Sequence, residues 1–306
     1  MTLRVTFLGT SGAVPTARRN PSGIYINREG EELLFDCGEG TQRQMMRFGT
    51  GFSISAIFLT HVHGDHVLGL PGLLQTLDFN DREEPLSIYT PRGTARTVEN
   101  VVGALDARLG FPVEIHEISL GESIYGTDEY EIRTFATDHR TRSVGYALVE
   151  SDRKGRFDRE RAEELGVPVG PKFSALHSGE TVTLEDGTTV EPEQVVGPPR
   201  PGRRVVYTGD TRPTEATIEA ATDADLLIHD ATFGDDWADR ARETGHATAR
   251  EAGEIAERAG ATRLALTHIS SRYPGDASRL VREASETFEE VFVAEDGQEI
   301  DVAFPE

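Results

Sequence analysis

Between Leu59 and Gly69 the chain reads LTHVHGDHVLG, with three histidines and an aspartate crowded into the six residues from His61 to His66. They follow directly on the apolar run Ala56-Ile57-Phe58-Leu59. A run of that kind reads as a buried strand, so the polar cluster leaves the strand's end, and Gly64 permits the tight turn that aims the side chains inward. A lone histidine is usually an ordinary polar residue. Four ligand-type side chains at this spacing form a metal loop: residues 61 and 63 can converge on one ion while 65 and 66 reach a second. Imidazole and carboxylate donors suit zinc best, with manganese or iron as alternatives. The single Cys37 allows neither an intrachain disulfide nor a cysteine-rich zinc site, so any metal must be held by histidine and carboxylate.

The loop cannot complete two ions alone, and the rest of the chain offers donors in a similar setting. Strand-like runs alternate with helical stretches, among them RVTFLG at 4–9, GIYIN at 23–27, ELLFDCG at 32–38, LSIYT at 86–90, VEIHEI at 113–118 and runs at 130–136 and 143–149, with an amphipathic helix around 93–109. The alternation predicts a mixed α/β fold. Later, RRVVYTGD at 203–210, ADLLIHDA at 224–231 and TRLALTHI at 262–269 share one form, an apolar strand ending in Asp or His. Open α/β folds gather their sites at such strand ends. His139, Asp210 and His268 are the candidates there. His116 and His177 lack a carboxylate motif and read as structural or surface residues.

The chain's 306 residues suffice for one large domain or two smaller ones. No run approaches the length of about 18 apolar residues that would suggest a membrane span, and no charged-then-apolar leader precedes the first strand, so a cytoplasmic enzyme is expected. Acidic residues outnumber basic ones 53 to 31, for a net charge of −22. Only Lys154 and Lys172 are lysines. Such a surface stays hydrated in concentrated salt, where the Debye length shrinks to about 3 Å at 1 M and self-repulsion is screened, so the global charge reads as halophilic adaptation. On charge alone a nucleic-acid partner is disfavoured, because phosphate binding needs a basic footprint. One segment departs from the rule: residues 150–172 carry six basic and six acidic side chains, and both lysines. It reads as an insert at about 150–179, either a solvated helical hairpin or a mobile arm for a polyanion. GPPRPGRR at 197–204 is a second local basic spot.

H-x-H-x-D-H with a distant His, Asp and His resembles the metallo-β-lactamase superfamily. That resemblance implies a four-layer αββα sandwich in a single domain over 1–306. It also implies two metals, Zn²⁺ or another divalent ion such as Mn²⁺: His61, His63 and His139 on one, Asp65, His66 and His268 on the other, Asp210 bridging. A two-metal site of this kind activates water near neutral pH and steadies charge on attacking and leaving oxygens, so hydrolysis is its natural output. More specific stretches run nearly the whole chain: FLGTSGAVPTARRN at 7–20, FDCGEGTQRQ at 35–44, HVHGDHVLGLPGLL at 61–74, GPKFSALHSGETVTLEDG at 170–187, GDTRP at 209–213, HDATF at 229–233, GHAT at 245–248 and LTHISSRYPGD at 266–276. In order and spacing they resemble the ribonuclease Z family, endonucleases that remove the 3′ trailer of precursor tRNA.

The resemblance implies specific roles. Asp65 matches the family's proton acceptor and His246 its H-x-T histidine, a donor to the phosphate or departing oxygen. Asp230 stands where the family usually has Glu; it is one methylene shorter, which puts its contact with His246 in question. The family's tRNA-clamping arm, with a Gly-Pro element, falls on the insert. Gly170 and Pro171 match that element, and Arg153, Lys154, Arg156 and Lys172 become candidate phosphate contacts. Arg18 and Arg19 in PTARRN match a loop tied to reading the acceptor end, the plainer reading being a structural turn. A homodimer is implied as well. The rivals are a general phosphodiesterase or arylsulfatase of the same fold, a di-iron oxidoreductase, which would want a carboxylate in place of His63 and a flavin domain, and a non-catalytic RNA binder, which would have lost ligands.

Overall fold

A computed structural model describes residues 2–104, 108–273 and 277–305. The end of the stretch at 266–276 and part of the helix expected at 93–109 lie outside them. The chain forms two compact units, one of residues 1–149 and 203–303, the other of residues 150–202 and 304–306.

The first unit holds two seven-stranded sheets. One runs, in spatial order, Glu299–Asp301, Leu3–Gly9, Gly23–Arg28, Glu31–Phe35, Ile54–Phe58, Leu86–Pro91 and Val113–Ile118. The other runs Val291–Val293, Leu264–Thr267, Leu226–Asp230, Arg204–Tyr207, Val144–Glu150, Tyr130–Ala136 and Ser123–Gly126. Their apolar alternation explains the layering. In Ile54–Phe58, Ala56 and Phe58 enter the core between the sheets, while Ile57 packs outward with Leu70, Leu73, Leu74 and Leu77 of the helix Leu70–Phe79. In Leu226–Asp230, Leu226 and Ile228 enter the same inter-sheet core, and Leu227 packs outward with Ile255 of the helix Ala249–Ala259. With both faces covered, the central strands are continuously apolar. A one-residue slip would exchange the two faces of each strand, so register is strongly fixed. The result is the αββα sandwich.

Strand direction positions the site. Glu31–Phe35, Ile54–Phe58, Leu86–Pro91 and Val113–Ile118 are mutually parallel, as are Arg204–Tyr207, Leu226–Asp230, Leu264–Thr267 and Val291–Val293. Each parallel set therefore delivers its carboxyl ends to one edge. The expected helix near 93–109 is Ala95–Val102.

The second unit contains the neutral stretch and continues past 179 to residue 202. Its helices Arg159–Glu164 and Pro171–Ser178, followed by a hairpin of Val182–Thr183 with Thr189–Val190, enclose a small core of Ala162, Val167, Leu176, Val182, Val190 and Val195. Strands of two residues are too short for alternation to announce them, which is why sequence placed the end of the insert early. Arg153 and Arg200 exchange backbone hydrogen bonds of 2.7 and 2.9 Å, closing the unit at a two-stranded neck. Among the described residues, no helix is long and apolar enough to cross a membrane.

Phe58 is fully buried and stacks on Phe35 (4.9 Å) and Tyr89 (5.1 Å), with Tyr125 and Tyr146 meeting it edge-on. Phe58→Ala is expected to lower unfolding free energy by about 3–5 kcal/mol, read by urea denaturation; a loss under about 1 kcal/mol would mean that these rings do not form the inter-sheet core.

Candidate metal centre

The loop after Ile54–Phe58 changes conformation within itself. His61 and His63 follow the strand, and His63, in extended backbone, is the N-cap of a single helical turn, Gly64–Val67. That turn carries Asp65 and His66 off in another direction. His61 Nε2, His63 Nδ1, His139 Nε2 and Asp210 Oδ2 converge, with separations of 3.0 Å (His61–His63), 3.3 Å (His63–His139), 3.6 Å (His61–Asp210) and 3.9 Å (His139–Asp210). Asp65 Oδ2, His66 Nε2 and His268 Nε2 form a second group: Asp65 is 3.6 Å from His66 and 3.3 Å from His268. Asp210 Oδ1 lies 3.4 Å from His66 Nε2 and 3.2 Å from His268 Nε2. Each oxygen of Asp210 thus faces a different group.

These spacings fit a cation at each position. Donors at about 2.0–2.1 Å around a tetrahedral ion stand roughly 3.3 Å apart. His66 Nε2 and Asp210 Oδ1 are also buried without a hydrogen-bond partner, and orphaned polar atoms of that kind need an explanation. Electrostatics agree. Burial lowers His63 and His139, and burial together with the charge of His66 takes His61 well below its ordinary value. Asp210 stays ionised against burial because His268, His66 and His61 surround it, and His268 does the same for Asp65. Neutral imidazoles beside ionised carboxylates are the protonation states that metal binding requires. At His66, burial is overruled by Asp210 and Asp36, which raise it well above the ordinary range; the position favours positive charge.

A second set of groups orients the first. Asp36 is fully buried in left-handed backbone (φ 57°). It accepts from Thr60 N (2.8 Å), Thr60 Oγ1 (2.9 Å to Oδ2), Tyr207 OH (2.8 Å) and His66 Nδ1 (2.8 Å). Thr60 Oγ1 in turn meets His61 Nδ1 at 3.0 Å. The other sheet repeats the device: Asp230 accepts from Thr232 Oγ1 (2.6 Å), which meets His268 Nδ1 at 2.8 Å. His139 Nδ1 donates to the Gly245 carbonyl at 2.7 Å. In His61, His66, His139 and His268 a bond at Nδ1 turns Nε2 toward the cluster, whereas His63 presents Nδ1. Two glycines are sterically required: a Cβ on Gly12 would lie 2.6 Å from His268 Nδ1, and one on Gly245, whose φ is +85°, would lie 2.9 Å from His139 Nδ1.

His246 sits between two helices, after Ala238–Thr244 and before Ala249–Ala259, whose start is fixed by a Thr248–Glu251 capping box. Its Nδ1 lies 2.8 Å from Asp230 Oδ2 and 3.9 Å from Asp210 Oδ2. The shorter carboxylate of Asp230 therefore reaches His246 at ordinary hydrogen-bond length. Asp230, Asp210, His246 and His268 are close enough to suggest another metal group, but Asp230 is already occupied by Thr211 N, Thr232 N, Thr232 Oγ1 and His246. It is an orienting residue by this geometry. Burial works against charge on His246 and Asp230 overrides it, raising the imidazole to about 9.

Other candidates are dispersed. Ala13 N donates to Asp65 Oδ2 at 2.8 Å, bringing the start of the 13–20 loop to the cluster. Arg19 faces inward, bonded to Thr10 Oγ1 (2.7 Å) and the Ala294 carbonyl, and so fastens that loop; Arg18 is exposed. Within the second unit, Arg153 lies over the Phe304 ring at 3.8 Å and bonds the Pro201 and Pro305 carbonyls, and Lys172 bonds the Thr183 carbonyl at 2.9 Å. Lys154 and Arg156 are exposed, and Gly170, at φ +144°, precedes Pro171 at the first turn of its helix. Asp36, Thr60, Thr232 and Tyr207 were missed as contributors. Asp36 did carry a signal, since ELLFD shares the apolar-strand-then-Asp form.

Asp36→Asn is expected to weaken divalent-metal binding about 10–100-fold, measured by competition with a chromogenic chelator. Unchanged affinity would remove Asp36 from the orientation of His66.

Comparison with known proteins places these observations. Residues 3–154 match a family model described as anti-Pycsar protein Apyc1, and residues 194–269 one described as the beta-lactamase superfamily domain. The chain is 66% identical to ribonuclease Z of Natronomonas pharaonis over the full length of both, and 62% identical to ribonuclease Z of Haloferax volcanii over 99% of this chain and 96% of that one. Among solved structures it is similar to human tRNase Z, short form (29% identity, TM-score 0.71, 98% of this chain and 100% of that one). YhfI of Bacillus subtilis (22%, TM-score 0.71, 98% and 100%) shares the fold.

Proposed function

Because the chain belongs to the ribonuclease Z family, we propose that it is a zinc-dependent endoribonuclease that removes the 3′ trailer of precursor tRNA, leaving a tRNA 3′-hydroxyl and a trailer 5′-phosphate. The observation that carries this reading is the sharing of Asp210, one oxygen per donor group, with the His246–Asp230 pair at its side. His61, His63 and His139 would hold one zinc, Asp65, His66 and His268 the other, and Asp210 both. Two such ions supply an activated water and compensate charge on the attacking and leaving oxygens.

The protein's own groups do the rest. Asp65 takes the proton from the attacking water, and the Ala13 amide at 2.8 Å holds its carboxylate. His246 is kept charged by Asp230 and gives a proton to the departing 3′-oxygen, so that one proton leaves the nucleophile and one reaches the leaving group. The second unit grips the tRNA body away from the cut, with exposed Lys154 and Arg156 as phosphate contacts and Arg18 at the acceptor end. A homodimer goes with this reading, and Met46, Leu68 and Phe79 are exposed apolar side chains on or beside the first helices of the chain.

His246→Ala is expected to lower kcat by about 10²–10⁴-fold while tRNA binding, read by filter retention, persists; near-unchanged cleavage would refute its role. The main test is cleavage of one end-labelled precursor tRNA with both product ends mapped. A variant with 152–201 replaced by a short Gly-Ser link should lose that cleavage yet still hydrolyse a small chromogenic phosphodiester. Equal loss or equal retention on both substrates would favour a general phosphodiesterase or arylsulfatase.

A further inference from the structure

Trp237 is the only tryptophan in the chain, and 41% of it is exposed at the end of the short turn Asp235–Trp237. Its surroundings lead back to the candidate centre. The Arg272 guanidinium carbon lies 4.8 Å from the indole centroid and 5.8 Å from the Phe233 ring. Phe233 meets the His246 imidazole edge-on at 6.2 Å. Arg272 follows His268 by four residues, and Phe233 follows Thr232, which orients His268. A row of His246, Phe233, Arg272 and Trp237 thus leads from the metal cluster to an exposed indole.

The acids flanking the indole are each paired: Asp235 with Arg250 at 2.6 Å, Asp236 with Arg279 at 3.0 Å and Asp239 with Arg242 at 3.1 Å. Among the described residues, no carboxylate lies within ion-pair distance of Arg272. Its guanidinium lies over two rings instead and donates to Ser270 Oγ at 3.4 Å, which sets a cation beside the exposed indole.

From this geometry we propose that Trp237, backed by Arg272, is a stacking platform for an unpaired nucleobase next to the phosphate that is cut. The inference rests on the nuclease reading above and adds a subsite to it. Stacking tolerates any base, because every base presents a π-face. It also depends little on counterion release, so it holds single-stranded RNA under salt that weakens phosphate contacts.

The lone tryptophan makes the test direct. Wild-type protein is titrated with a short single-stranded oligonucleotide and with an abasic oligonucleotide of equal charge, in dilute and in concentrated KCl, while tryptophan emission is followed. Saturable quenching by the first, absent with the second and retained in salt, is expected; equal quenching by both, or by neither, overturns the proposal. In precursor tRNA cleavage, Trp237→Leu should raise KM about tenfold with kcat within about twofold, and Trp237→Tyr should restore KM. Abasic sites placed just 5′ or just 3′ of the cut identify the base: the side whose loss costs wild type but not Trp237→Leu is the one stacked. Additive losses on both sides overturn the proposal. If wild-type protein fails to cut precursor tRNA, the functional reading falls while the quenching result still decides whether the indole binds bases.

Discussion

The Asp36 carboxylate is the group on which the rest of the structure depends. Burying a charge fully is costly unless it is paired and hydrogen-bonded, and Asp36 gathers its partners from both sheets: Thr60 and His66 follow the strand Ile54–Phe58, while Tyr207 ends Arg204–Tyr207. One buried anion therefore pins two strand ends that share no backbone hydrogen bond. Asp230 does the corresponding work on the second sheet, through Thr232 to His268 and directly to His246. The two aspartate–threonine–histidine relays set the ring orientations from opposite sides, and Asp210 lies between them. Left-handed backbone at Asp36 (φ 57°) and His268 (φ 59°) belongs to the same economy, since strain of this kind persists only where surrounding contacts over-determine it.

The acidic composition and the polyanionic substrate reading are reconciled locally. At −22 the whole chain repels phosphate, but net charge acts at long range and is screened in salt. Much of the arginine is spent on neighbouring carboxylates, as in Arg4–Asp301, Arg159–Glu163 and Arg258–Glu215. Exposed pairs of this type contribute little stability; their effect is to neutralise the surface in patches. Where arginine is left over a ring, as at Arg272, short-range recognition becomes possible without a basic face.

Legibility differed by kind of residue. The HVHGDH loop announced a metal cluster because its spacing is local, and the strands that set the fold announced themselves through unbroken apolar runs ending in Asp or His. Asp36 carried the same apolar-strand-then-Asp signal in ELLFD, but nothing local marked it as an orienting group rather than a ligand. Thr60 and Thr232 looked like ordinary polar residues, because a hydroxyl relay has no spacing signature. Arg19 allowed two readings in the sequence, a contact at the acceptor end or a structural turn, and only the fold shows its guanidinium bonded to Thr10 and Ala294. The second unit reached residue 202 because a core of six small side chains closes around strands too short to show a period.

By itself, then, the sequence determined which chemistry was on offer: the donor types, their two-by-two split along one loop, a mixed α/β fold and the neutral insert rest on local spacing, periodicity or composition, while the sandwich came from the family resemblance. Tertiary structure alone decided that Asp210 turns one oxygen to each donor group, that the shorter Asp230 still reaches His246 at 2.8 Å, and that Trp237 stands in a row with His246. Those are distances between residues far apart in the chain, set by where strand ends from two sheets meet, and no local pattern encodes them.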